Sequence, residues 1–269
     1  EPGSVVVMET KTGAVRAIAN LGRTKNNTYF ERLNYAVGEA HEPGSTFKLF
    51  ALMAALEDKV IDTTTMVDTE KGKLTFYGKY HVRDSKRGGY GVIPVSQVFE
   101  RSSNTGIVKL IHENYKENPA QFTDRLLAMG IDKPLGLAIS GEGIPKIPHP
   151  KDADWDGLDL PWMAFGYGVS LTPLQTLSYY NAIANNGELV SPRFVSSVRS
   201  LDGKLVKSFP KKVLNPAICS SETRSKLHKL MEGVVKNKWG TAHNIYDKKL
   251  SIAGKTGTCQ VDYTTDNVQ

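Results

Sequence analysis

EPGSTFKLFALMAALE, Glu42–Glu57, holds a contradiction. Every residue from Leu49 to Leu56 is apolar, so the segment reads as a helix covered on nearly all sides, ending near Asp58. Yet Ser45 stands at its head and Lys48 follows one turn later, where an ammonium is unwelcome. Positions i and i+3 of a helix share a face, so the two side chains lie together. A second Ser-x-x-Lys, Ser208–Lys211, lacks this property, because Pro210 biases the residue before it away from helix.

The chain has 269 residues, enough for one large core or two modest ones. Its longest apolar run is Leu49–Leu56, far short of the roughly 20 residues that cross a bilayer. No signal segment precedes the first structure and Glu1 is not a start methionine, so the chain reads as a mature or excised piece whose anchor lies outside it. The net charge of +6 is spread, with lysines along Lys204–Lys249 mixed with acids, as on a solvated basic face. With no aromatic-interleaved basic strand and no zinc-finger spacing, nucleic acid is not an expected partner. Cys219 and Cys259 form neither a metal spacing nor a disulfide framework, and no cofactor is expected.

SVVVMETKTGAVRAIAN reads as a hairpin around Lys11-Thr12-Gly13, KLTFYGKYHVRDSKRGGYG as a short hairpin and loop, and RFVSSVRS-LDG-KLVKSF as another hairpin. Helical periodicity flanks a break at Ser102-Ser103, AQFTDRLLAMG is a helix closed by Gly130, and SSETRSKLHKLMEGVVKN is an amphipathic helix. Thr172 caps TPLQTLSYYNAIANNG, with Pro173 at the first position, Gln175 completing a capping box and Gly187 as the stop. Asp132–Asp159, rich in Pro and Gly, is a long irregular connection. LSIAGKTGTCQV reads as a strand with a glycine-rich middle. The order predicts α+β: an antiparallel sheet flanked by helices, with a largely helical insertion around 58–190 and no linker that splits residues 1–269.

Metal and phosphate readings fail. The second histidine of a zinc-protease helix is absent after His41-Glu42, where Ser45 stands, and a phosphate loop ending at Gly254-Lys255-Thr256 would need glycine where Lys249 stands. What remains is Ser45-Thr46-Phe47-Lys48, Ser102-Ser103-Asn104 and Lys255-Thr256-Gly257-Thr258, the motif set of penicillin-binding proteins and class A β-lactamases. NYAVGEAHEPGSTFK, FERSSNTGIVKL, MAFGYGVSLTPLQ and AGKTGTCQ extend the likeness. From about Gly3 onward the chain resembles the transpeptidase domain of class B penicillin-binding proteins, and Ser-Ser-Asn with Lys-Thr-Gly-Thr resembles their septal, division-associated branch.

That resemblance implies a penicillin-binding protein and serine β-lactamase-like fold whose last strands and closing helix are missing, leaving the Lys-Thr-Gly strand with an unpaired edge. It implies acylation of Ser45 by a peptidoglycan stem peptide ending in D-Ala-D-Ala, release of D-Ala and attack by an acceptor amine, with β-lactams stalling at Ser45. A serine needs a base, and a lysine serves only when neutral. Burial and a second cation, Lys255, would lower the pKa of Lys48, held by Asn104. Ser102 would relay a proton to the leaving amine. The backbone N–H groups of Ser45 and Thr258 would form the oxyanion hole. Lys255 and the Thr258 hydroxyl would hold the substrate carboxylate, Gly257 would let the strand approach, and Thr256 lies between them. The implied place is the outer face of the cytoplasmic membrane, held by an N-terminal anchor outside this chain and among other division or cell-wall proteins. A serine β-lactamase, and a β-lactam sensor or silent division scaffold, remain the alternatives. Tyr167 and Gly168 are expected to pack, and Cys259 to be a small buried side chain without a base.

Overall fold

The computed structural model describes residues 3–259. β1 (Gly3–Met8) and β2 (Val15–Arg23) form the expected antiparallel hairpin, with a register shift between Val7 and Met8, and β3 (Tyr29–Phe30) pairs with the end of β2. Gly13 turns the hairpin at φ +70°, and a Cβ there would lie 2.6 Å from the Ser191 carbonyl, so only glycine fits. Then follow α1 (Tyr35–Gly38), α2 (Lys48–Glu57), β4 (Met66–Asp68), β5 (Lys73–Phe76), β6 (Tyr80–Arg83) and β7 (Val92–Pro94). Next come α3 (Val95–Glu100), α4 (Asn104–Tyr115), α5 (Pro119–Met129), α6 (Asp159–Met163) and α7 (Pro173–Ala184). β8 (Leu189–Val190), β9 (Ser197–Arg199), β10 (Leu205–Ser208), β11 (Val213–Asn215) and α8 (Ser221–Lys236) complete the order. Every pair of named strands is antiparallel, as the α+β reading requires.

The chain passes between two compact units: residues 1–41, 129–146 and 170–221 make one, and residues 42–128, 147–169 and 222–269 the other. The stretch 58–190 is shared between them and carries the β4–β7 and β5–β6 pairs as well as helices. In the first unit α1 and α7 pack on β1, and Val37, Leu135 and Leu174 centre a cluster with Val6 and Ile18. The Thr172 capping box forms as read: Gln175 N–H donates to Thr172 Oγ1 at 3.1 Å, and Thr172 N–H to Gln175 Oε1 at 2.9 Å.

The second unit is built on α2. Its residues from Lys48 to Ala55 are fully covered and Leu56 is buried, so the helix has no wet face. Each large apolar side chain so buried contributes about 1.5–3 kcal/mol before chain entropy is counted. α4 packs against α2, α3 and α6, and the β5–β6 hairpin lies on its N-terminal half through β6. Tyr115 at the end of α4 donates to Asp58 at 2.8 Å, and Arg125 of α5 donates to the same carboxylate at 2.6 Å.

One sequence expectation fails. Residues 251–259 make no strand ladder with the described residues. A strand exists only through a hydrogen-bonded neighbour. Here the backbone turns elsewhere, with Gly254 N–H donating to the Met231 carbonyl of α8 at 3.1 Å. Gln260 and Val261 of the same motif lie outside the described residues.

Candidate active site

All three motifs belong to the second unit. Gly44–Phe47 forms a 3-10 turn and Lys48 opens α2, which sets Ser45 at the mouth of the helix, 9% exposed, and Lys48 inside it, 0% exposed. The turn is held from beneath: Gly44, at φ +52°, donates its N–H to the Gly166 carbonyl at 3.1 Å. A Cβ on Gly44 would meet the Thr258 carbonyl at 2.3 Å, and one on Gly166 would meet the Gly44 carbonyl at 2.0 Å. Backbone is stacked on backbone here, which only paired glycines permit.

The second motif lies at the break between α3 and α4, where Ser102 takes φ +55°, a left-handed conformation that non-glycine residues seldom hold. Ser103 caps α4, its Oγ accepting from Gly106 N–H at 2.9 Å. Asn104 donates Nδ2–H to the Arg83 carbonyl at 2.8 Å, a bond that orients Oδ1 toward Lys48. Lys48 Nζ then reaches Asn104 Oδ1 at 2.6 Å, the Ser102 carbonyl at 2.7 Å and Ser102 Oγ at 3.1 Å. Lys255 Nζ approaches the same hydroxyl, donating to Ser102 Oγ at 2.7 Å and to the Thr256 carbonyl at 2.9 Å, with the Phe99 ring 5.6 Å away.

The electrostatics follow. Burial first, then the nearby Lys255 cation, pull the pKa of Lys48 well below the usual lysine range, while the Asp84 carboxylate opposes them. Burial alone draws Lys255 down to about 7. The apolar helix and the second cation thus act on Lys48 in the sense expected from sequence.

Two features of the site differ from expectation. Among the described residues the Ser45 hydroxyl makes no hydrogen bond, and all three bonds of Lys48 go to residues 102 and 104. An ammonium has three donors, and three nearer acceptors saturate them. The predicted oxyanion hole is also closed, since Ser45 N–H faces the Thr258 carbonyl at 3.5 Å rather than open space beside the Thr258 amide. With no ladder to fix which peptide groups of 251–259 point inward, the orphan amide of the turn meets the nearest acceptor. Gly257 does lie close, where a Cβ would come 3.0 Å from Thr46 Cγ2. Thr256 Oγ1 is paired with Thr241 Oγ1 at 2.7 Å.

The neighbours divide similarly. Tyr167 is buried against Phe165 with ring centroids 4.7 Å apart, as expected, whereas Gly168 is exposed with open space around it, its N–H donating to Glu42 at 2.8 Å. Cys259 is exposed, not buried, although its Cβ lies 3.2 Å from where a Cβ on Gly44 would stand. Partial cover and then the Glu42 carboxylate raise its thiol pKa, against a nucleophilic role.

Residues that sequence reasoning missed hold the motifs in place. Asp84 accepts hydrogen bonds from Ser103, Asn104 and Thr105, and buried Glu100 accepts from Trp239 Nε1 at 2.5 Å while its carbonyl takes the N–H of Thr241 at 3.1 Å. No spacing in the sequence flags either acid. Asp84 directly follows β6, which is the one local cue.

Residues 3–269 match the penicillin binding protein transpeptidase domain. The chain belongs to that family. This transpeptidase domain is 31% identical over 228 residues to stage V sporulation protein D of Bacillus subtilis, covering 84% of this chain and 34% of that protein. It is 28% identical over 271 residues to penicillin-binding protein PbpB of Mycolicibacterium smegmatis, covering 96% of this chain and 40% of that protein. With peptidoglycan D,D-transpeptidase FtsI of Escherichia coli K12 it shares 28% identity over 194 residues, 70% of this chain and 31% of that protein. The chain therefore spans well under half the length of these relatives. Its fold matches the apo transpeptidase domain of Burkholderia pseudomallei penicillin-binding protein 3 with a TM-score of 0.75 at 24% identity, covering 97% of this chain and 70% of that one.

Proposed function

We propose that this domain is a serine D,D-transpeptidase that cross-links peptidoglycan stem peptides, with Ser45 as the nucleophile. The observation that carries the reading is the meeting of Lys48, Ser102, Asn104 and Lys255 around one hydroxyl beside the Ser45 turn, from segments 54 to 153 residues apart. Uncharged Lys48 takes the proton of Ser45 as Oγ attacks the carbonyl carbon of the penultimate D-Ala. The C–N bond then breaks, and the proton passes from Lys48 through Ser102 to the departing D-Ala amine. This leaves an ester on Ser45. The amine of a second stem peptide attacks that ester, forms the new amide and returns a proton to Ser45.

A neutral amine has two donors and one lone pair, so deprotonated Lys48 keeps its bonds to the Ser102 carbonyl and Asn104, and its lone pair turns from the Ser102 hydroxyl to the Ser45 hydroxyl for acylation. Lys255, when cationic, and the Thr258 hydroxyl hold the substrate carboxylate, with Thr256 and Gly257 shaping that wall. The amides of Ser45 and Thr258 stabilise the oxyanion once the Thr258 peptide turns over, each donor contributing about 3–4 kcal/mol in the transition state. β-Lactams, which are acylating agents, enter by the same route. Relatives named peptidoglycan D,D-transpeptidase support the reaction and a place at the cell envelope; the proposal adds a division-associated role, outside the cytoplasmic membrane and beside other division proteins. No helix among the described residues is long and apolar enough to cross a membrane.

Intact-mass measurement after incubation with a penicillin, with Ser45→Ala as control, tests the reading. One stable adduct on the parent alone is expected, and parent not treated with penicillin should release D-Ala and cross-link when stem peptides are supplied. Rapid penicillin turnover would point to a β-lactamase, an adduct without cross-linking to a sensor or scaffold, and no adduct would refute acylation at Ser45.

A further inference from the structure

We propose that Asp84 is a positioning residue of this site, a carboxylate that fixes the start of α4 and so places Asn104 and Ser102 against Lys48. The inference rests on the reading of Ser45 and Lys48 as the acylating pair. Its basis is one side chain serving three consecutive residues of the motif segment. Asn104 N–H donates to Asp84 Oδ1 at 2.6 Å and Thr105 N–H to the same oxygen at 3.0 Å, while Thr105 Oγ1 donates to Oδ2 at 2.8 Å. The Ser103 hydroxyl lies 3.1 and 3.0 Å from the two carboxylate oxygens.

Two of the orphan amides that open α4 are thereby satisfied by a residue on another element, and Ser103 satisfies a third. The residue before Asp84 completes the grip, since the Arg83 carbonyl accepts from the side-chain amide of Asn104 at 2.8 Å. Asn104 is thus fixed at both backbone and side chain by one dipeptide. That dipeptide is itself fixed: Asp84 N–H donates to the Gly72 carbonyl at 3.0 Å, and Thr105 Oγ1 also contacts the Thr69 carbonyl at 3.0 Å. An ordinary N-cap needs none of this, because Ser103 already caps the helix. What the carboxylate adds is a lock on a segment whose Ser102 holds a costly left-handed conformation.

Asp84 also carries the negative charge that acts on buried Lys48 against Lys255. Removing the charge while keeping the shape therefore has a signature that loss of stability lacks. A base must be neutral to act, so acylation rises with pH through the pKa of Lys48. Without the anion that pKa falls, and the acid limb moves to lower pH.

The test uses the full chain with Asp84→Asn and Asp84→Glu, following Ser45 acylation by a penicillin across a pH series. In Asp84→Asn the maximal rate is expected to drop about 10- to 100-fold, as for a catalytic group displaced by about 1 Å. Its acid limb is expected to shift down by about half a pH unit or more. Asp84→Glu keeps the charge and loses the geometry, so its rate falls while the limb stays. A second measurement does not depend on activity: NMR titration of ε-13C-lysine, assigned with Lys48→Met, should show Lys48 titrating lower in Asp84→Asn than in the parent. Parental rates and limbs in both variants would overturn the proposal. So would a fall in melting temperature with the limb and the Lys48 titration unmoved, which marks Asp84 as structural only. If Asp84→Asn does not fold, a parental rate in Asp84→Glu overturns it equally. A parent that penicillin never acylates refutes the proposed function instead, and the NMR titration still decides the role of Asp84.

Discussion

Replacing Lys255 by methionine should stabilise the domain, and by an amount that shrinks as pH rises. The pKa of Lys255 falls from 10.5 to about 7 through burial. Between those values the unfolded chain holds a proton that the native state has released, so stability of the parent rises with pH across that window. Below it both states are protonated and the native state bears the whole cost of the buried cation. The slope reaches about 1.4 kcal/mol per pH unit, so between about pH 6 and pH 9 the parent should gain on Lys255→Met by about 2–3 kcal/mol from Lys255 itself. Lys48 adds to the effect in the same sense, because its own pKa is lowered in part by Lys255 and recovers in the variant. For a chain of this size the gain is a relative change in melting temperature of about 4–12 °C. Thermal melts of both proteins at the two pH values measure it. A difference between parent and variant that does not change with pH would show that Lys255 is an ordinary solvated lysine, and the electrostatic account of Lys48 would lose its second cation.

Lys48→Arg should slow penicillin acylation of Ser45 by about 100- to 10,000-fold with the far-ultraviolet circular dichroism kept, since a guanidinium stays charged and cannot take the serine proton; acylation at the parental rate would remove Lys48 from the role of base. Affinity for carboxylate-bearing penicillins should weaken as pH rises through about 7, where Lys255 loses its charge, and a saturation constant flat across that range would contradict it. Gly166→Ala puts a methyl 2.0 Å from the Gly44 carbonyl at φ +96°, so a loss of about 1–3 kcal/mol by urea denaturation and slower acylation are expected together. Thr172→Ala should cost about 1 kcal/mol through the lost capping box and leave the penicillin adduct unchanged, as equilibrium unfolding and intact mass would show.

What the sequence disclosed was local. The apolar run after Lys48, the capping box at Thr172 and the three hairpins each announce themselves within a few residues, because period and turn chemistry act at that range. The three motifs were legible as words; Lys48 and Lys255 meet on Ser102 Oγ, whereas the bond expected between Lys48 and Ser45 is not among those of the described residues. What stayed hidden was the pairing of distant groups. Nothing in RDSK says that Asp84 will serve a helix 20 residues on, and nothing in KWGT says that Thr241 will take the hydroxyl of Thr256. The strand expected over the third motif failed for a related reason. Alternating small and polar residues permit an extended chain, but the neighbour that makes it a strand lies elsewhere in the sequence.

The decisive physical feature is that two amines share one hydroxyl. Lys48 and Lys255 both bond Ser102 Oγ, at 3.1 and 2.7 Å, inside a unit whose central helix has no wet face. Two ammonium groups so placed repel each other where solvent screens them least, so loss of a proton from one relieves both. The pair therefore titrates as a unit, and the question is which partner stays charged. Burial is complete at Lys48 and only partial at Lys255, which assigns the neutral form to Lys48 and the charge to Lys255. The proposed acylation needs that division: a free base beside the serine turn and a cation to hold the substrate carboxylate. On the proposed reading a carboxylate docked on Lys255 would raise the pKa of that lysine and favour the charge there.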